Sequence, residues 1–551
     1  DARSTSRNSA PGPWAAVSTC PSSTTVSPES AHQPTTLGSS GTPRAPSPPT
    51  ATGTTGARTP SVGSPIRTGV IAGALPYLYL PTAGGGLALT PLDEGLVGGC
   101  LAVGAAIGAI VGGRLADRHG RRHNILLLAL IFIVGTVGSA LAGNVLILSL
   151  FRVVLGFAVG GASSSVPMYL SESAPQRIRG PLVAVDQFMI VFGQLLAYST
   201  NAMLSASRGG PQVQVASDPT GQFAAGSWIP WDLAGHIEGL VVAAGNGGVW
   251  RYMLVLGTLP AIALWIGMRL MPESSRWYAA KHRYYEAIGA LKRIRDERRD
   301  GVGAEIQGMV EVQRVEGRQA RWTLRQAWST RWTRRVLVIG CFLGIFDQLT
   351  GINTAMYYLP KVLVAAGFSS ADAITLNVVT GIASTIGAGI GIYLVGRLAR
   401  RHVGIYQETG IVLALFSLAL VFGFGIAPHI DASGAIAATV PAYLPWLVLA
   451  LVTLFVFFKQ SGTVNWVLVS EIFPARIRGT AQGVAVAAGW IMNAVVTFAF
   501  PLMIAYLGPA WTFACFGLFN VFALLFYLRI VPETKFVSLE QLEQDLQARF
   551  S

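Results

Sequence analysis

The sequence predicts an all-α membrane protein built from two related six-helix bundles. Apolar residues make up 52% of the chain and charged residues only 12%, a balance typical of proteins with many membrane spans. The pattern Ser-Glu-x-x-Pro-x-Arg-Ile-Arg-Gly occurs at 171–180 and again at 470–479, each time after a long apolar run. Two further motifs recur in the same order: Gly113-Arg114-Leu115-Ala116 with Gly396-Arg397-Leu398-Ala399, and Pro272-Glu273-Ser274 with Pro532-Glu533-Thr534. A repeat this long in an apolar chain indicates the duplicated half of a transporter.

The N-terminal region differs from the rest of the chain. Residues 1–64 are largely Ser, Thr, Pro, Gly and Ala, cannot bury a core and are predicted to be disordered. The next segment, 66–80, offers about fifteen apolar residues, fewer than the roughly 20 that a spanning helix needs. We therefore expect a truncated first span. Two explanations stay open: a mistranslated start upstream, or a genuine long tail.

Eleven further apolar segments are predicted to span the bilayer and bring the total to twelve. They lie near 92–113, 124–142, 145–169, 180–203, 250–271, 335–364, 372–396, 405–427, 443–469, 478–503 and 508–530. The predicted domains are an N-terminal bundle (65–271), a linker of cytoplasmic helices (272–334), a C-terminal bundle (335–531) and a cytoplasmic tail (532–551).

The net charge of +13 is concentrated in alternate connections. The positive-inside rule makes these connections and both termini cytoplasmic, so we expect a lipid bilayer as partner and no nucleic acid. In the linker, Tyr284, Ile288, Leu291 and Ile294 form one helical stripe, which predicts short surface helices that brace the two bundles. The longest opposite loop, 204–249, is expected to be irregular, either a lid or a passive insertion.

Several other classes of protein are excluded. The four cysteines are far apart and form no CxxC, so they predict neither a disulfide framework nor a redox site. His119 and His123 have a metal-like spacing but no third ligand. No glycine is followed by lysine, so there is no Walker loop for ATP. We expect no enzymatic activity, no cofactor and no metal.

A fixed order of motifs carries a resemblance to a known family. The motifs are Gly113-Arg114-Leu115-Ala116-Asp117-Arg118-His119-Gly120-Arg121-Arg122, Pro272-Glu273-Ser274-Ser275-Arg276-Trp277, Gln348-Leu349-Thr350-Gly351-Ile352-Asn353, both Ser-Glu-x-x-Pro-x-Arg-Ile-Arg-Gly copies and Pro532-Glu533-Thr534-Lys535. From about 69 to 535 the chain resembles the sugar porter family of the major facilitator superfamily. The resemblance implies the twelve-span major facilitator fold in a plasma-membrane carrier, expected to be a monomer, that moves a hexose, pentose or inositol by alternating access.

The repeated charges predict a conformational latch. Arginines and carboxylates at helix ends can pair across the two bundles in one conformation and separate in another. The alternative is that these charges only set the topology. The latch candidates are Arg114, Asp117, Arg118, Arg121, Arg122, Glu172, Arg179, Glu471 and Arg478.

A sugar or polyol site needs amides for bidentate hydrogen bonds and an indole for stacking, and polar side chains inside spans are costly without such a purpose. Gln187 and Gln194 are seven residues apart on one helical face. The candidates for substrate binding are Gln187, Gln194, Gln348, Asn353, Trp466, Trp490 and Asn493. The resemblance places substrate at all of these positions.

Energy coupling is where the chain departs from the family. Proton-coupled members use an Asp in the first span where this chain has Ile66 and Arg67. The candidates for a relocated coupling group are Asp186, Asp347 and Lys459, with Arg152 at the position that the family reserves for a basic residue. Either Lys459 reaches Asp347 and a proton competes for the carboxylate, or the two form a fixed pair. Proton symport is expected. The alternatives are uniport, a sugar sensor that does not transport, and an inactive product of a damaged reading frame.

Overall fold

The computed structural model describes residues 65–175, 179–295, 323–430, 440–462, 464–474, 477–535 and 539–550, and a few positions between 302 and 310. The predicted tail, 1–64, lies outside the described residues. So do some side chains within helices, among them six that the sequence singled out: Ile66, Arg67, Arg179, Asp186, Gln187 and Arg478.

The first half consists of membrane-length helices with a small sheet inserted before the last of them. In chain order it contains α1 (Pro65–Leu78), α2 (Pro91–His119), α3 (Arg121–Ala140), α4 (Val145–Ser173), α5 (Arg179–Arg208), β1 (Gln212–Ser217), β2 (Trp228–Pro230), α6 (Trp231–Ala234), β3 (Val241–Gly245), α7 (Val249–Leu256) and α8 (Thr258–Leu270). Helix starts follow the sequence: the Thr90 side chain and Asp93 form a capping box at α2, and Asn144 caps α4.

The linker and the second half follow. They contain α9 (Ser275–Ala280), α10 (Tyr284–Ile294), α11 (Leu324–Ser329), α12 (Arg331–Leu349), α13 (Ile352–Val364), α14 (Ser370–Arg397), α15 (Arg400–Leu420), α16 (Tyr443–Ser461), α17 (Asn465–Glu471), α18 (Arg478–Arg529) and α19 (Leu539–Phe550). Helix α15 continues as a π-helix, Val421–Ile426. The predicted linker helices are present, and Leu291 on the predicted stripe is buried.

Ten helical segments within the described ranges are long and apolar enough to cross a membrane. One of them, Thr480–Arg529, covers 50 residues, about twice what one span needs. It contains Gly508 at φ 78°, where the left-handed backbone turns the chain. Dividing it there and adding the short α1 gives the twelve predicted spans. A second left-handed glycine, Gly351 at φ 78°, separates α12 from α13.

Helices α2 and α4 pack with their backbones in contact. A Cβ at Gly104, Gly108 or Gly112 would collide with the backbone of Val153, Phe157 or Gly161 respectively. The four-residue spacing of the three glycines puts them on one ridge of α2, which explains the close approach.

The loop 204–249 forms a three-stranded antiparallel sheet of order β2-β1-β3, so the prediction that it is irregular is wrong. The signal was the alternation in β1, where Val213 and Val215 are fully buried whereas Gln212 and Gln214 are more exposed. The two valines pack with Ile229 and Leu80 in a separate small core.

We call the end of the helices that carries the arginine-rich connections the basic end, and the opposite end, with the sheet, the sheet end. Close contacts between the two halves lie towards the sheet end. Gly95 and Gly98 of α2 approach Phe498 and Thr497 of α18. The carboxylate of Asp232, beside β2, accepts a hydrogen bond of 2.7 Å from the backbone N–H of Ser370. The sheet is therefore tied to the first turn of α14.

Candidate functional site

A buried ion pair forms the centre of the candidate site. Lys459 Nζ of α16 lies 2.6 Å from Asp347 Oδ1 of α12. Lys459 is 5% exposed and Asp347 is 6% exposed. Asn465 Nδ2 of α17 donates to the same carboxylate oxygen at 2.7 Å. Lys459 therefore reaches Asp347, a contact that both alternatives from the sequence require, so competition by a proton for this carboxylate stays a prediction.

The ion pair is joined to two of the predicted substrate amides, directly to Gln348 and through it to Asn353. Gln348 Nε2 donates to Asp347 Oδ2 at 2.9 Å, and Asn353 Nδ2 donates to Gln348 Oε1 at 2.7 Å. The turn at Gly351 between α12 and α13 brings Asn353 back to Gln348. A continuous chain of hydrogen bonds thus runs from Lys459 through Asp347 and Gln348 to Asn353.

Gln194 approaches the same region from the first half. Its Nε2 donates to the Tyr198 hydroxyl at 2.7 Å, and that hydroxyl donates to the Met356 carbonyl of α13 at 3.1 Å. Gln194 on α5 therefore lies close to α13, the helix that carries Asn353. Among the described contacts, no direct bond joins Gln194 to Gln348.

Three further candidates for substrate binding, Trp466, Trp490 and Asn493, have no described contact with Gln348. Trp490 Nε1 is buried without a hydrogen-bond partner among the described residues, and its helix packs at Gly489 against Gly344 of α12. Asn493 is buried and accepts a hydrogen bond from Thr497. Trp466 is 42% exposed. The structure does not describe contacts of these three side chains with Gln348.

A second carboxylate near the ion pair was missed by the sequence reasoning. Glu408 of α15 is fully buried, and the charges of Lys459 and Asp347 act on it. Its Oε1 accepts one bond of 3.2 Å from Gln407, and its Oε2 has no partner in the described part of the chain. The sequence did offer a sign that Glu408 has a functional role, because a Glu inside a predicted span is unusual.

A second group of buried charges lies at the sheet end and was also missed. Glu94 of α2 is 1% exposed and pairs with Lys361 of α13. The hydroxyl of Tyr79 donates to Glu94 Oε1 at 2.7 Å. Beside them lies a cavity of about 270 Å³, which Tyr79, Lys361, Trp231 and Asp232 help to line. This cavity lies between the two halves and the sheet.

Arg152 belongs to this second group and not to the Asp347 site. It is 1% exposed, its Nε donates to the Val97 carbonyl at 2.5 Å, and Nη2 has no partner among the described residues. A small cavity is lined by both Arg152 and Glu94. Contact between Arg152 and Asp347 is not described, so a role for Arg152 in releasing a proton from Asp347 stays a prediction.

The repeated charges at the basic end form two matching networks, one inside each half. In the first, Arg121 Nε lies 3.1 Å from Glu172, which also accepts from the Ser274 hydroxyl. In the second, Arg400 lies 3.2 Å from Glu471, which accepts from Thr534 Oγ1 at 2.5 Å. Ser274 and Thr534 occupy matching positions of the Pro-Glu-Ser and Pro-Glu-Thr motifs.

Two more glutamates complete these networks. Glu273 accepts from the backbone N–H of Arg122 at 2.9 Å, and Glu533 accepts from those of Arg400 and Arg401 at 2.9 and 3.0 Å. Arg121 also pairs with Asp117 at 3.0 Å, whereas Arg114 and Arg118 are exposed. The described pairs join residues of one half, so the latch across the bundles stays a prediction about another conformation.

Known proteins match the chain along most of its length. A family model described as "Sugar (and other) transporter" matches residues 67–546. The major myo-inositol transporter IolT of Bacillus subtilis is 38% identical over 483 residues, which cover 87% of this chain and 91% of the relative. The galactose-proton symporter of Escherichia coli (strain K12) is 32% identical over 483 residues, or 87% of this chain and 90% of the relative.

A solved structure extends the similarity to the whole fold. The inward-open conformation of the xylose transporter XylE from E. coli matches with a TM-score of 0.66 and 28% identity, over 89% of this chain and 98% of that chain. XylE as a proton:xylose symporter bound to 6-bromo-6-deoxy-D-glucose matches with a TM-score of 0.60 and 28% identity, over 88% of this chain and 99% of that chain. The matches therefore include both halves and the linker.

Proposed function

Because the chain belongs to the sugar transporter family, we propose that it is a secondary transporter that moves a monosaccharide or polyol across the plasma membrane together with protons. Its family model covers residues 67–546. Similarity to proteins described as a myo-inositol transporter, a galactose-proton symporter and a proton:xylose symporter supports this substrate class and proton coupling. The cargo is a hexose, a pentose or an inositol.

The proposed mechanism is alternating access between the bundles 65–271 and 335–531, in a monomer with the basic end and both termini in the cytoplasm. The asymmetric distribution of arginine supports this orientation. The contacts between the halves near Gly95, Gly98 and Ser370 close the sheet end, and similarity to the inward-open XylE agrees with a conformation closed to the outside.

One observation carries the proposal: the hydrogen-bond chain Lys459–Asp347–Gln348–Asn353. It connects a titratable carboxylate to two amides that suit sugar hydroxyls. A substrate that takes over the Gln348 amide removes a donor from Asp347, and protonation of Asp347 removes the acceptor that orients Gln348. Substrate and proton therefore influence each other through one shared bond.

Uptake by reconstituted vesicles tests the proposal. Labelled myo-inositol, galactose and xylose are offered with and without an imposed pH gradient, acidic outside. We expect saturable uptake of at least one of them and accumulation above equilibrium only with the gradient. Asp347→Asn should retain exchange down a concentration gradient and lose accumulation. No saturable uptake of any of the three would contradict the proposal.

Uniport is the second candidate, and one observation favours it. Asp347 already accepts three hydrogen bonds, from Lys459, Asn465 and Gln348, an arrangement that would suit a permanently ionised pair. Uniport predicts uptake that the pH gradient does not change, and no accumulation above equilibrium by either the native protein or Asp347→Asn. A variant with a complete first span containing Asp in place of Arg67 would then show whether coupling depends on that span.

A further inference from the structure

The buried charges around Asp347 do not balance. Asp347, Glu408 and Lys459 are all at least 94% buried, with exposures of 6%, 0% and 5%. They lie on three different helices of the second half, α12, α15 and α16. Two carboxylates and one ammonium would leave one net negative charge in a dry interior if all three were ionised. Such an uncompensated charge is strongly unfavourable, so the group as a whole favours holding one proton.

Hydrogen bonding decides which carboxylate holds that proton. Asp347 accepts bonds of 2.6 Å, 2.7 Å and 2.9 Å from Lys459, Asn465 and Gln348, the environment of a stable carboxylate. Glu408 accepts a single bond of 3.2 Å from Gln407, and its Oε2 has no partner among the described residues. The neutral acid is therefore the better fit for Glu408.

Gln407, which is bonded to Glu408, offers an acceptor for an acid hydroxyl. Its Oε1 is a buried atom without a partner in the described part of the chain. The side chain of Gln407 lies against Gly462, at the break between α16 and α17. Among the residues that the structure describes, Lys459, Asp347 and, on α18, Tyr527 interact electrostatically with Glu408.

We propose that Glu408 is a proton-binding site, and that it exchanges its proton with Asp347 when substrate binds. This inference deepens the proposed function and rests on it. When sugar hydroxyls take the Gln348 amide, Asp347 loses one of its three hydrogen-bond donors. The O–H bond of Glu408 breaks and an O–H bond forms on Asp347. Lys459 then faces the new Glu408 carboxylate, so the charge of the group stays zero throughout.

The first test reads the proton directly and does not require transport. Infrared difference spectra at neutral pH compare the native protein in lipid with Glu408→Gln. We expect the native protein to contain a protonated carboxylic acid band that Glu408→Gln lacks. Glu286, which forms an exposed ion pair with Arg283, provides the matched control. Glu286→Gln should keep the acid band. If Glu408→Gln keeps the same band as the native protein, the proposal is wrong.

A second variant tests the charge balance without changing Glu408. In Asp347→Asn the pair to Lys459 is lost, so Glu408 should give up its proton and become the new partner of the ammonium. The acid band should therefore disappear although Glu408 is intact. This variant also tests the proposal if Glu408→Gln does not fold. A band that survives in Asp347→Asn would contradict the balance of charges.

Transport measurements test the proposed proton exchange between Glu408 and Asp347. Vesicles containing a pH-sensitive dye are given myo-inositol, galactose and xylose down their gradients. Native protein should acidify the lumen as sugar enters, whereas Glu408→Gln should move no protons with the sugar that it carries. Proton movement at the native level in Glu408→Gln would overturn the exchange. If native protein carries sugar without protons, the proposed symport fails, and the infrared result still decides whether Glu408 holds a proton.

Discussion

Lys361 forms an ion pair with the buried carboxylate of Glu94, and this pair joins the two halves of the molecule at the sheet end. Glu94 belongs to α2 of the first half and Lys361 to α13 of the second. The Tyr79 hydroxyl donates to the same carboxylate, and Tyr358 donates to the Glu94 carbonyl at 3.4 Å. When the sheet end opens, Lys361 must move away from Glu94.

Replacement of Glu94 by Gln should therefore favour the conformation that is open at the sheet end. The variant leaves Lys361 without its counter-charge only while this end is closed. We expect a shift of about 1–3 kcal/mol, or about 5–150-fold, in the conformational equilibrium. Labelling of single cysteines placed at each end measures it. As a control, Glu238→Gln removes an exposed carboxylate of the loop 204–249 and should leave the labelling ratio unchanged. An unchanged ratio in Glu94→Gln as well would show that the Glu94–Lys361 pair does not hold the sheet end closed.

The second prediction concerns the amide and indole side chains proposed to bind the sugar. Gln348→Ala and Trp466→Ala should abolish saturable uptake, because the first removes a hydrogen-bonding partner of the sugar and the second a stacking surface. Gln214→Ala and Trp228→Ala are matched controls in the sheet and should transport normally. Normal uptake by Gln348→Ala and Trp466→Ala would show that the substrate binds elsewhere.

The third prediction concerns the two matching charge networks at the basic end, around Glu172 and Glu471. Glu172→Gln and Glu471→Gln each remove the carboxylate that holds an arginine and a hydroxyl side chain together. Each variant should change the balance between inward and outward conformations by about 1–3 kcal/mol, and by similar amounts because the two networks match. Cysteine labelling at both ends measures this. An unchanged labelling ratio in both variants would mean that these repeated charges only set the membrane topology.

The pH dependence of stability tests Glu533. Burial raises the pKa of Glu533, but the backbone N–H groups of Lys535, Arg401, Arg400 and Thr534 lower it, and the balance lies below the ordinary value. A lowered pKa in the folded state means that the carboxylate stabilises the fold above the unfolded pKa of about 4.3. This contribution disappears as the pH falls through the folded pKa.

Native protein should therefore have a higher Tm in detergent than Glu533→Gln at neutral pH. The difference should shrink below about pH 4.3. Thermal unfolding of both proteins across this range provides the measurement. A Tm difference that is the same at all pH values would mean that the hydrogen bonds to Glu533 do not depend on its charge.

The helical architecture was predictable because it depends on patterns that are local in the sequence. Long apolar runs separated by charged turns define spans, and the starts of α2 and α4 follow from capping residues beside them. The glycine ridge of α2 could be read in the same way, since residues four apart share a helix face. The sheet at 212–245 was missed although β1 alternates clearly, because its partner strands are short.

The candidate site was only partly predictable. The amides Gln348 and Asn353 and the pair Asp347 and Lys459 were identified from residue type and position inside spans. Their connection into one hydrogen-bond chain depends on the left-handed turn at Gly351 and on the packing of α12 against α16 and α17, which no local pattern specifies. Glu94 and Lys361 are 267 positions apart, and neither side chain indicates its partner.

The sequence by itself determined the duplicated twelve-span architecture, the family and the types of residue available for a sugar and a proton. The tertiary structure decided which charges meet. Glu408 lies near the Asp347 pair and Arg152 beside Glu94, and Glu172 and Glu471 each pair within their own half. The physical reason is that burial is a property of the packed molecule. A carboxylate in a span is costly until its neighbours are known, and those neighbours come from distant helices.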